Sequence, residues 1–325
     1  MRLFRSLEAA RGRFAPSAVS IGNFDGVHAG HRQLLDRVKV MAAELGVKPS
    51  AVTFHPHPTT VVAPARAPKL LTTPEERAAL MASQGIEQVL ILPFDRSVAT
   101  LTPVAFAEHV LRETLGARAV VVGDNFRFGH RQSGNTETLR ELGQQFGFEV
   151  DVVLPVLRRG LMVSSSEIRR LISEGEVSKA MRLLERPYAL SGPVVKGEGR
   201  GSKQTVPTLN LATSAEVLPA DGVYITRTRG LREDRWHDSI TNIGFRPTFD
   251  GQHRTIETFL LEPLSGEPPA AITVEFLRRV RPERKFESAE DLKAQILRDV
   301  GRAKAYHRRT ARAAAIMAAK PASTR

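Results

Sequence analysis

The chain has 325 residues, 42% of them apolar and 25% charged, the make-up of a folded globular protein and long enough for two domains. It contains no cysteine, which excludes disulfides, cysteine-ligated zinc, iron–sulfur clusters and thiol nucleophiles. The net charge of +12 is concentrated at one end, where residues 298–325 hold eight basic side chains and one acid.

No aliphatic run approaches the roughly 18 residues of a membrane span; Ala313 to Ala319 is the longest. The N-terminal arginines precede no signal-type apolar core, so composition predicts a cytoplasmic chain with no membrane partner. The basic end can attract nucleic acid. A solvated Ala/Arg-rich helix end is the favoured reading, because no aromatic side chain for base stacking follows Tyr306. Self-association stays open.

In chain order, Ala18–Ile21, Ala51–Phe54, Val89–Leu92, Ala119–Val122 and Phe148–Val153 read as strands buried on both faces. Between the first two, Leu34, Leu35, Val38, Met41, Ala42 and Leu45 recur at helical spacing. Thr73-Pro74 and Thr102-Pro103 are helix-start signals. Five strands alternating with helices predict an α/β, doubly wound parallel sheet. Ser164 to Glu167 has capping-box spacing, and a further short helix runs to about Leu184.

Past Arg186-Pro187 the pattern changes. Val194–Val195, Pro207–Leu211, Val223–Thr228, Asp238–Ile243, Thr255–Leu261 and Ile272–Leu277 are strand-like, and turn residues rather than long helices separate them. This predicts a small antiparallel sheet or β-barrel closed by a C-terminal helix from about Ser288. The expected division is 1–186 and 187–325.

Gly22-Asn23-Phe24-Asp25-Gly26-Val27-His28-Ala29-Gly30-His31 lies between the first strand and first helix, where such sheets bind ligands. His28 and His31, three apart at a helix N-terminus, suit phosphate oxygens. The stretch lacks the Gly-Lys-Ser/Thr of a Walker A loop. The alternatives are a metal site, since His55 and His57 follow within thirty residues, and a merely structural pair. In the second half, Gly197, Gly199 and Gly201 form a glycine-rich loop able to cradle phosphate. Thr208 and Asn210 supply oxygens for a hard cation such as Mg²⁺. Glu257 is a lone carboxylate in an apolar strand, with Thr255 and Phe259 on its face.

The first of these stretches resembles the HxGH nucleotidyltransferases, and its wording resembles the adenylyltransferase module of the bacterial bifunctional riboflavin kinase/FAD synthetase family. Thr53–Pro58, Gly123–Gly129 and Val163–Arg169 resemble three further segments of that module, the last its SSSxIR motif. The resemblance implies adenylyl transfer from ATP to FMN. Gly22, Asn23, Phe24, Gly26, His28, His31, Ser164, Ser165 and Arg169 would hold ATP, with His28, His31 and Arg169 at the reacting phosphates. His57, Asn125 and Phe128 would lie on the flavin side.

Residues 187 to 308 resemble the family's riboflavin kinase module. That implies Gly197, Gly199, Thr208 and Asn210 around Mg²⁺-ATP, and Glu257 as the base for the riboflavin hydroxyl. Seven steps rather than five separate Arg200 from Pro207, and Phe259 stands where a polar residue is common. The alternative is a monofunctional FMN adenylyltransferase whose barrel only binds flavin.

Overall fold

The computed structural model describes residues 1–195, 208–230, 235–248, 251–262 and 267–318. Contact density divides the chain into two units, Met1–Ile168 and Arg169–Arg325.

In the first unit, β1 (Arg2–Phe4), β2 (Ser17–Ile21), β3 (Lys48–His55), β4 (Gln88–Pro93), β5 (Ala117–Gly123) and β6 (Glu149–Val153) form a parallel sheet. Their order is β1-β4-β3-β2-β5-β6. The five expected strands are all present. The additional β1 is a three-residue edge strand with one buried side chain, too short to carry a period.

Val19, Ile21, Val120 and Val122 pack with Phe106, Leu111 and Leu139 on one face. Ala18, Ala51 and Val121 pack with Leu35, Val38 and Met81 on the other. Helices therefore cover both sides, which is why the strands read as unbroken apolar runs. Each fully buried Leu or Val contributes about 1.5–3 kcal/mol.

The helix Ala29–Leu45 starts at His28 and stops at Gly46, whose φ of 65° closes the last turn. Thr73 and Glu76 form the reciprocal capping box of helix Pro74–Ser83. From β2 the chain winds one way to β3 and β4, and from β5 the other way to β6. The crevice between the carboxyl ends of β2 and β5 is thus the sheet's switch point. A short ribbon, β7 (Leu157–Arg158) with β8 (Leu161–Met162), follows β6.

In the second unit, β9 (Tyr188–Val195), β10 (Thr208–Leu211), β11 (Gly222–Arg229), β12 (His237–Thr248), β13 (Gly251–Leu260) and β14 (Ala271–Pro282) close an antiparallel barrel. Its order is β10-β13-β12-β11-β14-β9. Tyr224, Ile243, Val274 and Phe276 fill the interior. So does a chain of buried hydroxyls in which Thr241 bonds to Thr226 at 2.8 Å and to Thr258 at 3.0 Å. The helix Ala289–Ala318 lies outside, with Val300, Ala303 and Tyr306 over Val223, Ile225, Ile240 and Phe259.

By packing, the chain's contacts divide inside the helix Ser165–Ser173. The next helix, Val177–Leu184, buries Val177, Ala180, Leu183 and Leu184, and its Ser178 hydroxyl donates to the Leu277 carbonyl of β14 at 2.9 Å.

Candidate active site

At the switch point the chain leaves β2 and makes a tight loop before helix Ala29–Leu45. Phe24, Gly26 and Val27 have φ of 49°, 81° and 38°. For Val27 this is a strained region, since a β-branched side chain crowds the left-handed backbone. Bonds from neighbouring segments hold the loop. Gly22 N–H donates to Val52 O at 3.1 Å, the Thr53 hydroxyl donates to Asn23 O at 2.9 Å, and Gly26 N–H donates to Thr72 Oγ1 at 3.1 Å. The Ser165 hydroxyl donates to Asp25 O at 2.9 Å.

Below the loop lies a buried ion pair that no sequence periodicity marks. Asp25 and Arg77 have side chains 1% and 2% exposed and approach to 3.7 Å. The Asp25 carboxylate accepts from Leu71 N–H at 3.0 Å and from the N–H and hydroxyl of Thr72 at 3.1 Å. Arg77 donates to Thr53 Oγ1 at 2.9 Å. Charge pairing and hydrogen bonds together offset the desolvation of both groups.

His28 caps the helix, its Nδ1 accepting from His31 N–H at 3.3 Å. That bond places the ring proton on Nε2, the nitrogen left to donate. The His28 and His31 rings stack at 3.6 Å, with planes 12° apart. Gly30 leaves room for this stack. A Cβ there would lie 3.3 Å from two atoms of the His28 ring. Phe24 is fully buried and meets His31 edge-on at 5.1 Å, so its side chain supports the histidine from the core side.

His57 repeats the device. Its Nδ1 accepts from Thr59 N–H at 3.2 Å, and its Nε2 lies 3.0 Å from the Asn23 carboxamide. The Asn23 atom facing Nε2 is its carboxamide nitrogen. With its Nδ1 taken by a backbone N–H, His28 has the arrangement of a donor rather than a metal ligand. Among the described residues no three His, Cys, Asp or Glu side chains gather to hold a metal ion.

On the other side of the switch point, the loop after β5 carries Asn125, which is exposed, and Phe128, which is 7% exposed. The Phe128 ring packs on Phe106 within the core and stacks on half-buried Phe126 at 5.5 Å. Phe126 is thus the more accessible ring, one sequence inspection passed over. Ser164 Oγ accepts from Glu167 N–H at 3.2 Å and begins the helix Ser165–Ser173. Arg169 lies one turn beyond Ser165 on it.

In the barrel, Asn210, Glu257 and Asn242 lie directly opposite one another on β10, β13 and β12. Leu209, Leu211, Ile256 and Thr258 fill the interior, so alternation puts the three polar residues, with Thr208, on the outer face. Directly opposed residues have Cβ atoms about 5 Å apart. Asn242 was not assigned from sequence, because only strand register brings it beside Glu257. Gly197 and Gly199, with the lengthened Arg200–Pro207 segment, lie outside the described residues.

A stacked histidine pair lies at the switch point of a doubly wound sheet, and a barrel in the second unit carries a carboxylate on its outer face, an arrangement suited to a two-module group-transfer enzyme. A family model described as FAD synthetase matches residues 12–167, and one described as riboflavin kinase matches residues 184–307. The bifunctional riboflavin kinase/FMN adenylyltransferase of Escherichia coli K12 is 34% identical over 86% of this chain and 90% of its own length. That of Pseudomonas fluorescens is 34% identical over 94% and 97%. A crystal structure described as a macrolide-efflux protein from Streptococcus pneumoniae superposes with a TM-score of 0.83 at 28% identity, covering 91% of this chain and 96% of that one. This chain belongs to the bifunctional riboflavin kinase/FMN adenylyltransferase family. Among the described residues no helix is long and apolar enough to cross a membrane.

Proposed function

We propose that the chain carries out its family's two reactions at the two sites just described, riboflavin phosphorylation within 187–325 and FMN adenylylation within 1–186. The observation that carries this reading is the capped His28, whose proton is fixed on Nε2 beside the stacked His31 ring at the switch point.

In the first reaction the 5′-hydroxyl oxygen of riboflavin attacks the γ-phosphorus of ATP. The bond from that phosphorus to the β,γ-bridging oxygen breaks, ADP leaves, and Glu257 accepts the hydroxyl proton. Asn210 and Asn242 flank Glu257 and hold the reacting groups beside it. Thr208 and Asn210 offer neutral oxygens on one face, a donor set that fits a Mg²⁺ ion keeping phosphate and water ligands. Held there, such an ion would supply charge neutralisation to the ATP phosphates.

In the second reaction a phosphate oxygen of FMN attacks the α-phosphorus of ATP, and the bond from that phosphorus to the α,β-bridging oxygen breaks, releasing pyrophosphate. His28 Nε2–H and His31 donate to the phosphates as charge moves toward the leaving group, and Arg169 adds a forked cation. Asn23 and Asn125 orient the nucleotide and flavin, with His57 holding Asn23 in place.

The test is to incubate the purified chain with riboflavin, ATP and Mg²⁺ and resolve the flavins by chromatography. FMN followed by FAD is expected. FMN alone would remove the adenylyl-transfer assignment, and FAD formed only from supplied FMN would remove the kinase assignment. A sharper expectation attaches to Gly30→Ala. Its methyl pushes on the His28 ring by a few tenths of an ångström, so FAD formation from FMN falls by up to roughly tenfold, while phosphorylation of riboflavin is unchanged. Separate kcat/KM measurements on the two half-reactions check this.

A further inference from the structure

A second strongly charged feature lies on the barrel unit, away from Glu257. The helix Ala289–Ala318 and the strands β11 and β14 border an open cleft of about 640 Å³. Arg278 borders it from the sheet, and Arg302, Arg308, Arg309 and Arg312 border it from the helix. Among the described residues, none of these five forms an ion pair within 4.0 Å. The acids nearby are already engaged. Asp299 pairs with Arg281 at 2.8 Å and also accepts from Gln295 at 2.8 Å, and Asp238 pairs with His307 at 2.9 Å.

Five uncompensated guanidiniums around one cleft repel each other and focus a positive potential into it. The arrangement disfavours the empty state and favours a multivalent anion. Arg302, Arg309 and Arg312 fall on one helix face over about 15 Å, with Ala305 and Tyr306 between them. The floor is apolar: Ile225 is 4% exposed, and Val280, Ala305 and the half-buried Tyr306 ring lie beside it.

Size and lining together select the ligand. The volume suits a single small molecule. The aromatic and aliphatic floor suits a flat ring, and planar forked cations at the rim suit phosphoryl oxygens two at a time. We infer that this cleft is a second, non-catalytic binding site for a nucleoside di- or triphosphate. Its walls β11 and β14 lie two and three strands from the Glu257 strand in the closed barrel order, about 10 and 14 Å across the sheet, so it is a separate site under the same helix rather than the face around Glu257. The inference does not depend on the roles given to Glu257 or the histidines.

The test is calorimetric titration of the full chain with ADP, comparing wild type with R302Q/R309Q/R312Q. Wild type is expected to bind one more ADP per chain than the variant. Single substitutions should weaken that extra site about tenfold each, and it should also weaken as salt rises. The variant should still convert riboflavin to FMN at the wild-type rate, which verifies folding. Lysine at the same three positions keeps the charge but loses the fork, so the extra site should persist with reduced affinity. Equal ADP stoichiometry in wild type and the glutamine variant overturns the inference. So does an arginine-dependent site that takes a 12-nucleotide single-stranded RNA and gives no ADP heat, since that assigns the cleft to a nucleic-acid backbone.

Discussion

Replacing Glu257 by Gln lowers riboflavin phosphorylation by about 10²- to 10⁴-fold, the usual contribution of a positioned general base, and leaves conversion of FMN to FAD unchanged. The substitution keeps the shape and position of the side chain between Asn210 and Asn242. It removes only the ability to take a proton. A carbonyl oxygen remains available to a hydroxyl or a hydrated cation, so KM for ATP should change little while kcat collapses. Glu257→Asp keeps the acid but withdraws it by one methylene, and an intermediate kcat is expected. Full kcat in the glutamine variant would show that the strand-centre carboxylate moves no proton.

Much of this site is visible in the sequence, for a definite reason. Local chemistry writes itself into neighbouring residues. The His28–Gly30–His31 spacing, the Thr73 capping box and the alternation of Ile272, Val274 and Phe276 each depend on positions a few residues apart. The parallel strands are legible because burial on both faces leaves Val89 to Leu92 and Ala119 to Val122 uniformly apolar. What the sequence hides is long-range. Asp25 and Arg77 meet only because helix Pro74–Ser83 packs under the loop after β2. Asn242 reaches Glu257 only through the β12–β13 register. The short edge strand β1 and the packing of helix Val177–Leu184 on β14 belong to the same class. Phe128 shows the converse limit, since a loop motif names an aromatic residue without saying which ring the core claims.

Arg77→Met is the prediction with the largest expected effect on stability. It removes the Arg77 charge beside the 1% exposed Asp25 carboxylate, and removing one partner of such a buried pair costs about 3–5 kcal/mol. The damage reaches the site. Arg77 holds Thr53 Oγ1, which holds Asn23 O, and Asp25 holds Thr72, whose hydroxyl receives Gly26 N–H. FAD formation should fall with stability, while riboflavin phosphorylation persists.

The chain supplies its own probe for localising the loss. Its single tryptophan, Trp236, lies in the barrel unit, with Arg227 4.8 Å over its ring. Tryptophan fluorescence in urea therefore reports that unit, whereas far-ultraviolet circular dichroism reports both. In the variant, a dichroism transition should appear at lower urea while the fluorescence transition stays in place. Adding Asp25→Asn to Arg77→Met removes the stranded charge and should recover part of the loss, because the two positions are coupled. Unmoved transitions by both probes would show that the backbone N–H groups of Leu71 and Thr72 suffice to hold the Asp25 charge. The buried arginine would then serve the loop through its hydrogen bonds, to Thr53 Oγ1, Phe54 O and Thr72 O.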